Sequence, residues 1–211
     1  MATDVVFSEF EVDKASFKFN EGTAEALTCI GKFEEEMEVK TVTKKCRGKV
    51  IKTRTRGTGN GTIKTSMHVP KGTYAKLFAM ERENLIKGAY AFGENSLLPE
   101  CCMCVHVTDE DGKEKLKAYP RVTATTGPAR TVENGGDEVE EIEPEFSVMP
   151  DSNGEGMYEL FLDDVDDSKK KTIVDSWMTD FTPDLVDAAK QHSADTAGSH
   201  AVNTASEEKG E

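Results

Sequence analysis

Between Lys44 and Lys71 the chain places nine basic residues (Lys44, Lys45, Arg47, Lys49, Lys52, Arg54, Arg56, Lys64 and Lys71) and not one Asp or Glu. The 211-residue chain has a formal net charge of −14, so with these nine positives set aside the remainder carries −23. Any fold must therefore hold one concentrated basic segment on an acidic body, with solvent or an acidic surface around it.

The segment alternates with period two through Lys49-Val50-Ile51-Lys52-Thr53-Arg54-Thr55-Arg56, meets Gly57-Thr58-Gly59-Asn60-Gly61, and resumes through Thr62, Ile63 and Lys64 to Val69. This pattern predicts a β-hairpin turning at Gly57 to Gly61. Lys52, Arg54, Arg56, Lys64 and His68 then share one face, and Ile51, Thr53, Thr55, Ile63, Met67 and Val69 the other. An isolated two-stranded ribbon is marginal in water, so the hairpin reads first as a docking arm for an acidic protein surface. A solvated strand face and a ribbon contacting nucleic acid are the other readings.

Apolar content of 36% and a mean hydropathy of −0.54 are low for a chain that is all globule, so solvated arm or tail is expected. The predicted division is one domain over residues 1–185, with the arm at about 44–71 and a helix at about 73–87, and a disordered acidic tail over 186–211. The helix rests on Tyr74, Leu77, Phe78, Glu81 and Leu85 at helical spacing, stopped by Gly88. Strands are expected at Val5 to Val12, Ala15 to Phe19 and Thr23 to Ile30. A longer one after Gly31 sets Phe33, Met37, Val39, Thr41 and Thr43 opposite Glu34, Glu36, Glu38 and Lys40. A second hairpin pairs Cys101 to Thr108 with Lys113 to Tyr119 around Asp109-Glu110-Asp111-Gly112, and an acidic loop runs from Thr131 to Glu145. Met157 to Leu162 is the last clear strand, and Ile173 to Phe181, with Trp177, reads as a closing packed segment.

No catalytic constellation is legible. The N-terminus has no basic-then-apolar leader and no long apolar run occurs, so a chain made in the cytosol with its five cysteines reduced is expected. On a strand Cys102, Cys104 and His106 share a face that Cys101 does not, and without a second C-x-x-C pair these read as buried thiols rather than zinc ligands. Asp151 to Gly156 echoes a calcium loop but carries Leu162 where a bidentate Glu is needed. Asp163-Asp164-Val165-Asp166-Asp167 reads as a solvated acidic turn. No metal, cofactor or membrane contact is expected.

The order of several short stretches resembles the major tail protein, or tail tube protein, of long-tailed bacteriophages. They are Arg54 to Thr62, Met67-His68-Val69-Pro70, Tyr74-Ala75-Lys76-Leu77, Ala89-Tyr90-Ala91-Phe92-Gly93, and the Thr108 to Gly112 turn leading to Lys117-Ala118-Tyr119-Pro120. Together they span about Val5 to Leu162. The resemblance implies a mainly β (α+β) fold, a β-sandwich or barrel-like tail-tube domain with one flanking helix, without the C-terminal immunoglobulin-like domain of some relatives. It implies a non-enzymatic virion protein, made in the host cytoplasm and located in the tail, whose hexameric rings stack into a hollow tube. A tape-measure protein lies inside, tail terminator and baseplate or distal tail proteins meet the ends, and DNA passes through the lumen without specific binding.

In such proteins a long hairpin or loop reaches from ring to ring, and its match here is Lys49 to Val69. The arm residues are thus Lys49, Lys52, Arg54, Arg56, Gly57, Gly59, Asn60, Gly61 and Lys64. Candidate acidic partners or lumen residues are Glu34, Glu36, Glu38, Glu138, Glu140, Glu141, Asp163 and Asp164. The alternative function is a nucleic-acid-binding β-ribbon module.

Overall fold

The computed structural model describes residues 6–20, 22–132, 134–135 and 139–187; the expected acidic tail lies outside these from residue 188 onward. The described residues form strands β1 (Glu9–Phe19), β2 (Glu25–Leu27), β3 (Ile30–Cys46) and β4 (Lys49–Met67), helix α1 (Lys71–Leu77), strands β5 (Glu100–Asp109), β6 (Glu114–Ala124), β7 (Glu145–Val148) and β8 (Tyr158–Phe161), and helix α2 (Asp167–Asp180). All pairings are antiparallel, in the order β2-β1-β5-β6-β7-β4-β3, with β8 beside β6. The class is mainly β with α-helices, as expected. The architecture is one continuous sheet that rolls until β3 comes back into contact with β1.

Alternation decides what each face of the sheet buries. Ala15 and Phe17 of β1, Ile63 and Met67 of β4, Met103, Val105 and Val107 of β5, and Phe146 and Val148 of β7 fill the inside of the roll with Tyr119 and Val122. Phe17 and Phe146 meet with ring centroids 5.5 Å apart. Helix α1 adds Tyr74, Leu77 and Phe78 to the same core. The outward positions Cys104, Leu116 and Ala118 are covered by α2, whose Trp177 is fully buried and donates its indole N–H to the Lys117 carbonyl at 3.0 Å.

Three expectations change. Gly57 to Gly61 is not a turn: β4 runs through it unbroken, and the chain reverses instead at Arg47 and Gly48, with φ of 46° and 79°. Two successive positive-φ residues form the tight turn whose twist suits a hairpin. Gly59 and Gly61 serve close approach, whereas a Cβ on Gly57 would meet open space. A Cβ on Gly61 would lie 2.6 Å from Met37 Sδ and 2.7 Å from the Glu36 carbonyl, and one on Gly59 would lie 2.8 Å from the Gly154 carbonyl. Here β4 carries two extra residues against β3, since Met37 pairs with Gly61 and Val39 with Gly57.

The helix expected at 73–87 spans only Lys71–Leu77. Ala79 enters the left-handed region (φ 47°), Met80 N–H returns to the Ala75 carbonyl (2.8 Å) and Ala79 N–H to Lys76 (3.0 Å), a Schellman stop that overrides the helical spacing beyond it. Conversely, the segment with Trp177 is a second α-helix that begins at Asp167. Its first turn carries an Asp167–Lys170 ion pair (2.9 Å) and an acidic residue matched to the helix dipole.

The roll closes on charge rather than on oil. Lys115 and Lys117 of β6 point inward, and Lys117, 1% exposed, meets Glu9 of β1 (2.6 Å), Glu35 of β3 and Glu159 of β8 (3.5 Å). Lys115 meets Glu9 and Glu159 (3.1 Å), and the Tyr119 hydroxyl donates to Glu35. Burial pushes Glu9 up, but hydrogen bonds from Lys115 and Lys117 outweigh it and hold its carboxyl below the usual range. Burial likewise opposes the Lys117 ammonium, yet hydrogen bonds to Glu35 and Glu9 hold it above the usual lysine value.

Two outcomes follow for stability. Gly61→Ala is expected to cost about 1–3 kcal/mol in chemical denaturation, because Met37 and the β3 backbone leave no room for the methyl; a neutral result would place Gly61 in a permissive turn. The stabilisation from ionised Glu9 is present above its unfolded value near 4.5 and lost as pH falls through its lower folded value. That from charged Lys117 is present below about 10.5 and lost as pH rises through its higher folded value. Melting temperature should therefore fall below about pH 4.5, and Glu9→Gln should flatten that acid limb.

Candidate interaction arm and acidic surfaces

β3 and β4 pair along their whole length, but only their inner halves belong to the roll. From Val39 through Cys46 and from Lys49 through Gly57 every residue is exposed, so the ribbon stands clear of the body by roughly 27 Å at about 3.4 Å per residue. It carries eight basic residues, Lys40, Lys44, Lys45, Arg47, Lys49, Lys52, Arg54 and Arg56, and no acidic one. Among the described residues none of the eight meets a carboxylate.

Register assigns the faces. Lys40 pairs with Arg56, Val42 with Arg54 and Lys44 with Lys52 on one side; Val39, Thr41 and Thr43 pair with Gly57, Thr55 and Thr53 on the other. The Thr41 and Thr55 hydroxyls hydrogen-bond at 2.9 Å. Like charges directly opposite each other oppose pairing, so the charged face weakens the ribbon that bears it. Ile51 is the extra residue of a bulge near the tip, and Val39, Val42, Val50 and Ile51 are each more than half exposed. Basic and aliphatic side chains thus share a projecting surface that the described residues leave uncovered.

The placement of the expected site residues divides accordingly. Lys49, Lys52, Arg54, Arg56 and Gly57 lie on the ribbon, while Gly59, Asn60, Gly61 and Lys64 lie in the body, and the arm is 39–57 rather than 44–71. Lys64 is engaged at home: it pairs across the strands with Glu34 and lies 3.3 Å from Glu145. The sequence reading set Lys40 on the acidic face of its strand and outside the arm, because the ribbon was paired with the wrong partner strand.

Glu34, Glu36 and Glu38 are exposed on the outward side of β3, at the root of the arm, with Glu34 held below the usual carboxylate range by a hydrogen bond from Lys32 (2.9 Å). Glu140 is exposed; Glu141 is half-buried and accepts from Ser66; Glu138 lies outside the described residues. Asp163 and Asp164 are exposed in a short turn before α2.

The cysteine reading stands in its faces: Cys101 joins the inner core while Cys102 and Cys104 lie under α2, 3.8 Å apart at sulfur. Burial pushes the Cys101 thiol well up, and the Cys102 hydrogen bond and burial raise Cys104, so both stay protonated. His106 faces Asp13 (3.2 Å) and Glu114 (3.7 Å) instead of the thiols.

No protein-family model matches the chain, and no curated protein matches it. Among solved structures it is similar to a chain of the anti-feeding prophage cap, the tube-terminating cap, at 10% identity and a TM-score of 0.45, over 76% of this chain and 99% of that one. It is also similar to a chain of the 6-fold symmetrised anti-feeding prophage baseplate, at 12% identity and a TM-score of 0.38, over 77% and 99%. Likeness at this level leaves function to be argued from the chain's own residues.

A free ribbon of this kind opens before the roll does. Limited trypsin digestion of the unassembled protein is expected to cut first between Lys40 and Arg56 and leave the body intact; first cuts at Lys115 or Lys117 would contradict the described burial.

Proposed function

We propose that this chain is a structural, non-enzymatic subunit of a phage tail or phage-tail-like particle. Copies of it join as hexameric rings stacked into a hollow tube, located in the virion tail after synthesis in the host cytoplasm. The observation that carries this reading is the uncovered basic ribbon, about 27 Å long, on a body with a large negative excess.

A projecting patch that complements a different surface of the same molecule makes a head-to-tail contact, and such contacts close into rings or propagate as filaments. Each copy brings both halves of that contact, and the acidic candidates are the β3 root, the loop around Glu140 and the turn at Asp163 and Asp164. A tube lined by acidic residues would repel phosphate and let DNA slide during ejection. On this reading a tape-measure protein occupies the lumen, and terminator and baseplate or distal tail proteins cap the ends. The eight cations of the arm, none of which meets a carboxylate among the described residues, also favour a second reading, a β-ribbon that grips nucleic acid.

Negative-stain electron microscopy with light scattering separates the two. The native protein is expected to form rings or tubes, and Lys44→Glu, Lys52→Glu, Arg54→Glu and Arg56→Glu combined should leave a folded subunit that does not assemble. Lys64→Ala should assemble normally, since Lys64 is held by Glu145. Normal tubes from the fourfold variant would overturn the docking arm. A native monomer that binds DNA with steeply salt-dependent affinity would move the function to the ribbon module.

A further inference from the structure

Three ligand-type side chains from separate segments converge where the inner end of the β3–β4 pair meets the acidic loop. The Cys29 thiol, the His68 imidazole and a Glu141 carboxylate oxygen all lie within 4.8 Å of one another. The sequence keeps them far apart, and none belongs to a recognisable motif.

Main-chain hydrogen bonds fix this convergence. His68 N–H donates to the Cys29 carbonyl at 3.0 Å, which ties the first two ligand carriers together. Next to them, Met67 and Ile142 exchange both main-chain hydrogen bonds at 3.0 Å, which sets Glu141 beside His68. The Ser66 hydroxyl donates to Glu141 Oε2 and so orients the carboxylate, leaving Oε1 facing His68 Nε2 at 3.9 Å. Gly31 makes the space: a Cβ there would overlap the Glu141 carboxyl. Ligands held by their neighbours' backbone, with one carboxylate oxygen steered by a second hydrogen bond, are the parts of a prepared metal site.

We propose that Cys29, His68 and Glu141 bind a borderline transition-metal ion, Zn²⁺ foremost, with a fourth position open to water. Thiolate, imidazole and carboxylate together suit Zn²⁺ and disfavour Mg²⁺ or Ca²⁺, which take oxygen ligands. A tetrahedral ion holds such donors roughly 3.3–3.6 Å apart, so small rotations of exposed or half-buried side chains complete the geometry. His68 and Glu141 also line a cleft of about 500 Å³ that gives an ion a way in. Among the described residues the other convergent group, Glu9 with Glu35 and Glu159, is different: the Lys115 and Lys117 ammonium groups already fill the space between its carboxylates, so it is not a cation site. Bound metal would pin the acidic loop to the root of β3 and β4.

The test uses the full chain, stripped with EDTA, freed of chelator, and titrated with Co²⁺ and then Zn²⁺. One equivalent of Co²⁺ is expected to bind with a thiolate-to-cobalt charge-transfer band, and Zn²⁺ should displace it. Cys29→Ser should abolish the band, and His68→Ala and Glu141→Gln should each weaken Zn²⁺ binding at least about tenfold. Cys46→Ser, at the exposed tip of the arm, should change nothing. Alkylation of Cys29 in the native chain, followed by peptide mass, gives a readout free of variants: one equivalent of Zn²⁺ should slow it at least about tenfold. No stoichiometric uptake, a band retained in Cys29→Ser or lost in Cys46→Ser, or an unchanged alkylation rate would each overturn the site.

Discussion

The structure depends on one strand keeping its course. β4 passes through Gly57 to Gly61 without turning because the missing side chains of Gly59 and Gly61 let β3 and the turn near Pro150 come close to its backbone. Its inner half is thereby fixed between β3 and β7, with Ile63 and Met67 in the core. Among the described residues its outer half has no third strand to lie against, and it leaves the sheet with β3 as a free ribbon. Packing at the glycines therefore decides both how the roll is walled and where the arm begins.

The second constraint is the closure of the roll by ions. Lys115 and Lys117 replace apolar side chains at two inward positions of β6, and carboxylates from β1, β3 and β8 converge on them. A buried cation without partners costs several kcal/mol, so the arrangement holds only while all three strands are in register. Glu35 is the informative member, because it sits on the otherwise apolar side of β3 between Phe33 and Met37. A carboxylate in an apolar register is a signal that an inward cation awaits it, and here that cation is Lys117.

Charge and shape then divide the molecule's work. The body carries the negative excess and a core sealed on both faces of the sheet, while the arm carries exposed aliphatics and positives that have no carboxylate partner among the described residues. Neither surface is satisfied among the described residues. That unsatisfied pair is the physical basis for reading the protein as a component of an assembly.

Local pattern alone settled the mainly β class, the β5–β6 hairpin with its Asp109 to Gly112 turn, the faces of Cys101, Cys102 and Cys104, and the separation of a basic segment from an acidic body. Period-two alternation and charge are properties of neighbouring residues, so they are legible without knowing what packs where. The turn of the long hairpin was not. Arg47-Gly48 and Gly57 to Gly61 are both turn-competent, and only contacts with Met37, Gly154 and β7 choose between them. Helix α1 was overextended because its spacing continues past a stop set by main-chain hydrogen bonds at Ala79. The meeting of Cys29, His68 and Glu141, like that of Glu35 with Lys117, was decided by the tertiary structure, since strand pairing and the roll bring together residues that no sequence spacing connects.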